Sequence, residues 1–405
     1  MSNALEIIEP QGPHGQFRFD GFDSMVHPKT TEEFYSQYWE QRPFFVRRDA
    51  PGYFDSLLTL ADVDRYLGTK ALHASEIRIV KGGVDKRFED YSKDGIADAA
   101  QMMAAFRTGS MLLLSHMNRH HPPLAELLSR CEAQTHVPMR ANAYLSPPGS
   151  TGFKLHWDTH DVLVLQISGA KKWHIYDNPL PLPHEEQMSE LKHWVGQANK
   201  IDEIAMRPGS VLFLPRGYVH GAEAEDEHSL HITFGLRSLT VADIVLREFR
   251  RASLEDEDMR KVARLGDYAD PASAERARQA LRRVIESMDL QGAIDEVHKS
   301  FIRSRQPPRL GALLEITGQS AIDHATELRL REDALYKVFK NADGISLAVD
   351  GTVLNFPGGI ETAIDYVVEH KRFTPGSLPG LEHESKLLFS RSMLDCRLVE
   401  RAQAA

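Results

Sequence analysis

Between Asn142 and Leu236 the chain is a succession of short β-forming runs cut apart by Pro and Gly clusters, and no other feature narrows its fold as much. Val162-Leu163-Val164-Leu165-Gln166-Ile167 and Lys172-Trp173-His174-Ile175-Tyr176 are aliphatic, β-branched or aromatic, and Val211–Leu214 and Leu230–Phe234 continue the pattern. Ser146-Pro147-Pro148-Gly149-Ser150 and Arg207-Pro208-Gly209-Ser210 mark turns between them. Short strands punctuated in this way predict a β-sandwich or barrel.

The flanks read differently. Phe34, Tyr38 and Trp39 fall at helical spacing behind a threonine cap, Pro43 ends that helix, and Phe44-Phe45-Val46 reads as a buried strand. A further short helix is expected over Leu60–Leu67. From Thr240 onward, Thr240–Arg251, Pro271–Met288 and Ala293–Arg303 are charged, amphipathic and helical. The last segment reads as helices over Arg331–Lys340, Glu361–Glu369 and Ser385–Leu394, with strands around Ser346–Val349 and Thr352–Phe356. That order resembles a small winged-helix domain.

Charge and cysteine content exclude several classes. The 405 residues carry a net charge of −10, which argues against non-specific binding to nucleic-acid phosphates. Residues 241–330 hold 15 basic and 16 acidic side chains and residues 331–405 hold 9 and 11, so neither segment is a basic arm. A nucleic-acid partner is therefore not expected. No apolar run reaches the ~20 residues of a membrane span, and Met1–Gly15 lacks the layout of a secretory leader. The two cysteines, Cys131 and Cys396, rule out a disulfide framework or a cysteine-rich metal site and fit a reducing cytoplasm. Chemistry is to be sought among the 19 histidines.

His156-Trp157-Asp158 is the chain's single His-x-Asp. On a strand, side chains two apart share a face, so one imidazole and one carboxylate would approach a metal together. A third ligand is needed, and His220 suits it, at the end of Leu214-Pro215-Arg216-Gly217-Tyr218-Val219-His220. Two histidines and one carboxylate form a facial triad that leaves positions open for a 2-oxo acid and O₂. The competing His184-x-Glu186 lies in a Pro-rich turn with no strand to aim it and reads as surface.

Asn142-Ala143-Tyr144, His156-Trp157-Asp158, Leu165–Trp173, Leu214–Gly217 with His220, and His228–Thr233 together resemble the JmjC-type, cupin-fold ribosomal oxygenases, which are Fe(II)- and 2-oxoglutarate-dependent protein hydroxylases. The resemblance is strong over residues 142–236 and extends more weakly over nearly the whole chain. It implies an α+β fold: a double-stranded β-helix (cupin/JmjC jelly-roll) core in a catalytic domain with N-terminal helices at 1–239. A helical dimerisation domain would follow at 240–329 and a winged-helix-like domain at 330–405. By position, His156, Asp158 and His220 match the iron ligands. Lys171 matches the basic residue that pairs with the distal carboxylate of 2-oxoglutarate, although by sequence either Lys171 or Lys172 could point inward. Asn142 and Tyr144 match polar residues lining the pocket for cofactor and substrate, and His231 and Thr233 are expected to line it from the strand after His220. Trp173 reads as core.

What the resemblance implies, then, is Fe(II), 2-oxoglutarate and O₂ acting on a side chain of a protein, a ribosomal protein by substrate class, in a cytoplasmic homodimer. The dimer's apolar stripes would be Ile244, Val245 and Phe249 with Leu281, Val284, Ile285 and Met288, which packing on the chain's own core explains equally. Other readings stay open at this point: the same chemistry on a peptide, amino acid or secondary metabolite; demethylation of N-methyl-lysine; a silent cupin acting as a binding module; or a zinc hydrolase. The insert Asn178–His184 and the charged segment Glu185–Lys200 after it shape a substrate groove or merely decorate the fold.

Overall fold

The computed structural model describes residues 4–10, 18–237, 239–262, 266, 271–308, 322–341 and 344–402. Parts of Met1–Gly15 and residues 309–321 of the expected dimerisation region lie outside these. The chain divides into two compact units, Met1–Arg237 and Ser238–Ala405.

The first unit opens with β1 (Glu6–Ile8), α1 (Phe22–Val26), α2 (Thr31–Gln37), β2 (Phe44–Val46), α3 (Leu60–Thr69), β3 (Ile77–Lys81) and β4 (Val84–Asp85). A small hairpin of β5 (Ser92–Lys93) and β6 (Ile96–Ala97) precedes α4 (Ala99–Arg107), β7 (Met111–Leu114) and α5 (Pro122–Thr135). Then come β8 (Met139–Ser146), β9 (Asp161–Gly169), β10 (Lys171–Tyr176), α6 (Leu191–Val195), β11 (Lys200–Met206), β12 (Val211–Leu214), β13 (His220–Glu223) and β14 (Ser229–Leu236). Nine strands form one sheet in the order β1-β2-β12-β9-β14-β8-β7-β3-β4, and β11-β10-β13 form a second. Apart from the parallel pair β1–β2, the pairings in both sheets are antiparallel.

Strand alternation divides the large sheet into two chemically distinct faces. Leu163 and Leu165, Val211 and Phe213, and Leu230, Ile232 and Phe234 face the helices, packing with Phe22, Met25, Phe34 and Leu127 in the main core. On the other face Val162, Val164, Leu212 and Leu214 meet Trp173, Ile175, Ile204 and Met206 of the small sheet in a second core. That same face carries Asn142, Tyr144, His231 and Thr233 into a polar pocket beside the second core. This is a mixed α+β fold of the JmjC/cupin type. The α2 helix starts where the threonine signal places it, with Thr30 Oγ1 accepting from the Glu33 amide and the Glu33 carboxylate accepting from the Thr30 amide.

The second unit begins with α7 (Val241–Ser253), α8 (Glu257–Arg260), α9 (Pro271–Ser287) and α10 (Leu290–Ser304). It continues with β15 (Leu328–Leu330), β16 (Tyr336–Asn341), β17 (Gly344–Val349), β18 (Thr352–Phe356), α11 (Glu361–His370), β19 (Arg372–Phe373), α12 (His383–Asp395) and β20 (Val399–Arg401). Two three-stranded antiparallel sheets, β16-β17-β18 and β19-β15-β20, share one core with α11 and α12. The helix expected over Arg331–Lys340 is therefore corrected to a turn and a strand. Its charges mimic a solvated helix, but Tyr336 and Val338 pack on the core at a spacing of two, and β16 pairs along its length with β17. Among the described residues, no helix is long and apolar enough to cross a membrane.

The main core hinges on aromatic packing at Phe213, which is fully buried, edge-on to Phe34 at 4.7 Å and stacked on Phe44 at 5.5 Å. Replacing it with alanine is expected to destabilise the first unit by about 3–5 kcal/mol. All four tryptophans belong to that unit, so the midpoint of urea unfolding followed by tryptophan fluorescence measures the loss.

Candidate active site

The site is assembled from an irregular segment, the start of one strand and the inner faces of three others. His156 and Asp158 do not sit on a strand, as the alternation reading supposes. Pro147, Pro148, Gly149 and Gly152 break the chain after β8, and His156 makes only an isolated bridge to His220. Two backbone bonds close that bridge: His156 N donates to His220 O at 3.1 Å, and His220 N donates to His156 O at 2.8 Å. Extended backbone persists locally, so Trp157 turns into the core while His156 and Asp158 line the cavity.

Ligand atoms of His156, Asp158 and His220 lie within 4.8 Å of one another, the only such cluster among the described residues. The His220 Nε2 is 3.6 Å from Asp158 Oδ2, and the two imidazole rings are 4.4 Å apart. Each imidazole has a backbone partner on its far side: His156 Nδ1 bonds Lys154 O at 2.8 Å and His220 Nδ1 bonds Tyr218 O at 3.0 Å. Those bonds assign the Nδ1–H tautomer to both rings and leave both Nε2 lone pairs free. Burial, reinforced by His156, pushes His220 down to about 4, so it is a neutral ligand at neutral pH. Burial works to raise Asp158, but the imidazoles of His156, His220 and His160 outweigh it and hold the carboxylate below its ordinary value. Two imidazole nitrogens and one carboxylate suit a divalent transition metal with open coordination positions.

These groups open into a cavity of about 580 Å³. Lys171, Trp173 and Ile175 are the buried side chains of β10, whereas Lys172 lies on the outer side, ion-paired with Glu203 at 3.2 Å and Glu225 at 3.0 Å. Lys171 is 3% exposed, and its Nζ donates to Ser146 Oγ at 3.0 Å. Among the described residues no carboxylate pairs with it, and burial pushes its pKa down to about 7. An amine is thus held in the cavity wall with no counter-ion among the described residues.

The remaining expected residues share this wall. Tyr144 stacks on His231 with ring centres 4.7 Å apart and planes 6° off parallel. Burial and then the Asp158 charge push Tyr144 up to about 12. His231 is held well below its ordinary value by burial and then by Lys171, and its Nδ1 has no hydrogen-bond partner. Asn142 accepts from His116 N at 3.0 Å, and Thr233 pairs with Asn142 in the sheet register. Trp173 belongs to the second core and also lines the cavity. His184, by contrast, starts a 3-10 turn at Glu185–Glu190 and takes no part in the triad.

The structure adds residues that sequence spacing does not identify. His160 follows Asp158 by two positions and lines the cavity, its ring set against Gly235, where a Cβ would stand 2.8 Å from it. Arg78 comes from β3, far away in sequence, and reaches the rim with both Asp85 oxygens as partners at 2.9 and 2.7 Å. Met188 and Leu191 bring the excursion between β10 and β11 onto the cavity. Its neck is closed by Asn199, whose N and Nδ2 donate to the Asp177 carboxylate at 2.8 and 3.0 Å. Its first half packs on Gly217 (φ +88°), where a Cβ would meet Asn178 Oδ1, Leu180 O and Pro183 Cδ at 2.6–2.8 Å.

Comparison with known proteins places this geometry. The model of the JmjC domain matches residues 113–244. The bifunctional lysine-specific demethylase and histidyl-hydroxylase NO66 of Aedes aegypti is 28% identical over 242 residues, covering 56% of this chain and 38% of that protein. Ribosomal oxygenase 1 of Gallus gallus is 27% identical over 311 residues, covering 71% and 51%. The chain spans about half or less of the length of these curated relatives. The Escherichia coli ribosomal oxygenase YcfD, solved in complex with cobalt and 2-oxoglutarate, superposes with a TM-score of 0.53 at 17% identity, covering 92% of this chain and 98% of that one. The triad and Lys171 all lie inside residues 113–244, the stretch that matches the JmjC domain, and the chain is similar to the ribosomal oxygenases.

Proposed function

We propose that this protein is an Fe(II)- and 2-oxoglutarate-dependent oxygenase that hydroxylates a side chain of a protein substrate, a ribosomal protein by its relatives' names. The observation that carries the reading is the open-sided His156/Asp158/His220 triad in one cavity with the buried Lys171, which has no carboxylate partner among the described residues. His156, Asp158 and His220 would hold the iron, whose chemistry with O₂ couples decarboxylation of 2-oxoglutarate to succinate with oxidation of a C–H bond.

The rest is work for the chain. Lys171 receives the distal carboxylate of 2-oxoglutarate, an attraction strengthened by the low polarity of the wall. Tyr144 and Asn142 offer hydrogen bonds beside it, and His231 and Thr233 complete that side. The backbone bonds of His156 and His220 keep both rings turned so that the open positions face the cavity, where the substrate C–H is presented. Met188 and Leu191 cover part of the mouth and limit water.

The proposed organisation is a catalytic domain at 1–239, a helical dimerisation domain at 240–329 and a winged-helix-like domain at 330–405, acting as a cytoplasmic homodimer. Supporting the dimer, Leu246, Leu281 and Ile285 of the helical region are 59%, 39% and 55% exposed, whereas Val284 is buried in its own unit. Supporting the reducing compartment, Cys131 and Cys396 are both free and buried.

The central test is conversion of 2-oxoglutarate to succinate with added Fe(II) and isolated ribosomes. Turnover that requires ribosomes and is abolished by His156→Ala is the expected result; turnover without ribosome stimulation would move the substrate elsewhere, and none with iron bound would sink the oxygenase reading.

Lys171 provides a second test through pH. Its pKa starts near 7 in the ligand-free site, and a bound carboxylate favours the charged amine and raises that pKa. Above pH 7, binding must therefore take up a proton, and 2-oxoglutarate affinity is expected to fall from pH 7 to 9 by up to about tenfold per unit. Calorimetric titration in buffers of different ionisation enthalpy reads the proton uptake directly. Lys171→Met should weaken 2-oxoglutarate by about 2–5 kcal/mol and remove the pH dependence.

A further inference from the structure

The turn that delivers His220 has a buried side-chain anchor. Five residues, Pro215 to Val219, link the end of β12 to His220 at the start of β13. Gly217 N donates to Asp158 O at 3.0 Å, so the backbone of one triad member already holds the turn. One residue earlier, Arg216 N donates at 2.9 Å to the Oδ1 of Asp161, the first residue of β9. Asn178 Nδ2 donates to Arg216 O at 3.3 Å. Asp161 is 2% exposed, and the Arg216 guanidinium donates to Glu40 at 2.6 Å.

A carboxyl group in such a place is unfavourable: burial, opposed by the Arg216 amide and charge and reinforced by Glu40, raises it to about 7. An apolar residue at this β9 position would suit the core better, except that it would leave the Arg216 amide without its acceptor. Asp161 and Asp158 thus clasp successive amides of the turn, three positions apart on the segment that also contains His156. We propose that Asp161 is a positioning residue for the metal centre: by holding the Arg216 amide it fixes the Pro215–Gly217 turn and, through it, the placement of His220 against His156 and Asp158. It touches neither metal nor substrate. The inference rests on the triad being a metal site.

The test uses the full chain and Co(II) as the probe, titrated by its visible d–d absorption. Wild type should give a saturable spectrum that His220→Ala abolishes; if it does not, the metal reading itself fails and not merely the role of Asp161. Asp161→Leu removes the acceptor and is expected to weaken Co(II) binding ten- to a hundredfold and alter the band shape. Asp161→Asn keeps an acceptor oxygen and should restore the affinity to within threefold with the wild-type spectrum. Should the leucine variant fail to fold by circular dichroism, Asp161→Glu, which moves the acceptor by one methylene, should show the same loss. Wild-type affinity and spectrum in a folded Leu or Glu variant overturns the proposal, and so does an Asn variant as impaired as the Leu variant.

Discussion

The two backbone hydrogen bonds between His156 and His220 are the constraint on which the site depends. They join a segment with no ladder of its own to the first residue of β13, and both ends of the join are proposed metal ligands. Because the bonded atoms are main-chain, the side chains remain free to turn into the cavity. The far side of each ring is then fixed by a carbonyl only two residues away, Lys154 O for His156 and Tyr218 O for His220. Imidazole orientation is thus set locally, whereas the distance between the imidazoles is set by the bridge. A second apolar core that includes Val162, Val164, Trp173 and Ile175 lies next to this bridge and keeps the sheets in place around it.

Much of this was legible in the residues, and what was not has a physical reason. The runs at Val162–Ile167 and Val211–Leu214 are strands because β-branched and aliphatic side chains suit positions buried on both faces, as those of β9 and β12 are. The threonine cap before Glu32 and Glu33 announced α2. His156, Asp158 and His220 could be grouped by residue type, spacing and resemblance, but the element beneath them could not, because a single bridge leaves no periodicity to read. The choice between Lys171 and Lys172 is a matter of strand parity, decided by the register of β10 against β11 and β13. Arg78 and Met188 reach the cavity by topology alone. At Arg331–Lys340 local charge suggested a helix, and pairing with β17 prevailed over it.

The cavity wall concentrates groups whose burial works against their charge. Lys171, His231 and Tyr144 are displaced from their ordinary pKa values, in each case chiefly by desolvation. Such groups are tolerated in a fold when a ligand supplies the missing partner, which is why titratable residues shifted in this way collect at functional sites. The stability of the first unit is carried elsewhere, by the helix-facing core around Phe213 and Phe34. Stability and chemistry therefore occupy opposite faces of the same sheet, separated by one step of strand alternation.

The clasp between Asp177 and Asn199 has a consequence for how such a protein can diversify. Everything from Asn178 to Ala198 leaves and re-enters the sheet through that one neck, and closing a loop at a fixed neck costs only about 0.6 kcal/mol more for each doubling of its length. The half packed on Gly217 is sterically pinned. The half from Glu185 to Val195, which contains no buried residue, is not. Insertions, deletions and exchanges of sequence in that second half can accumulate over evolutionary time and remodel the approach to the cavity while leaving the strands beneath it unchanged.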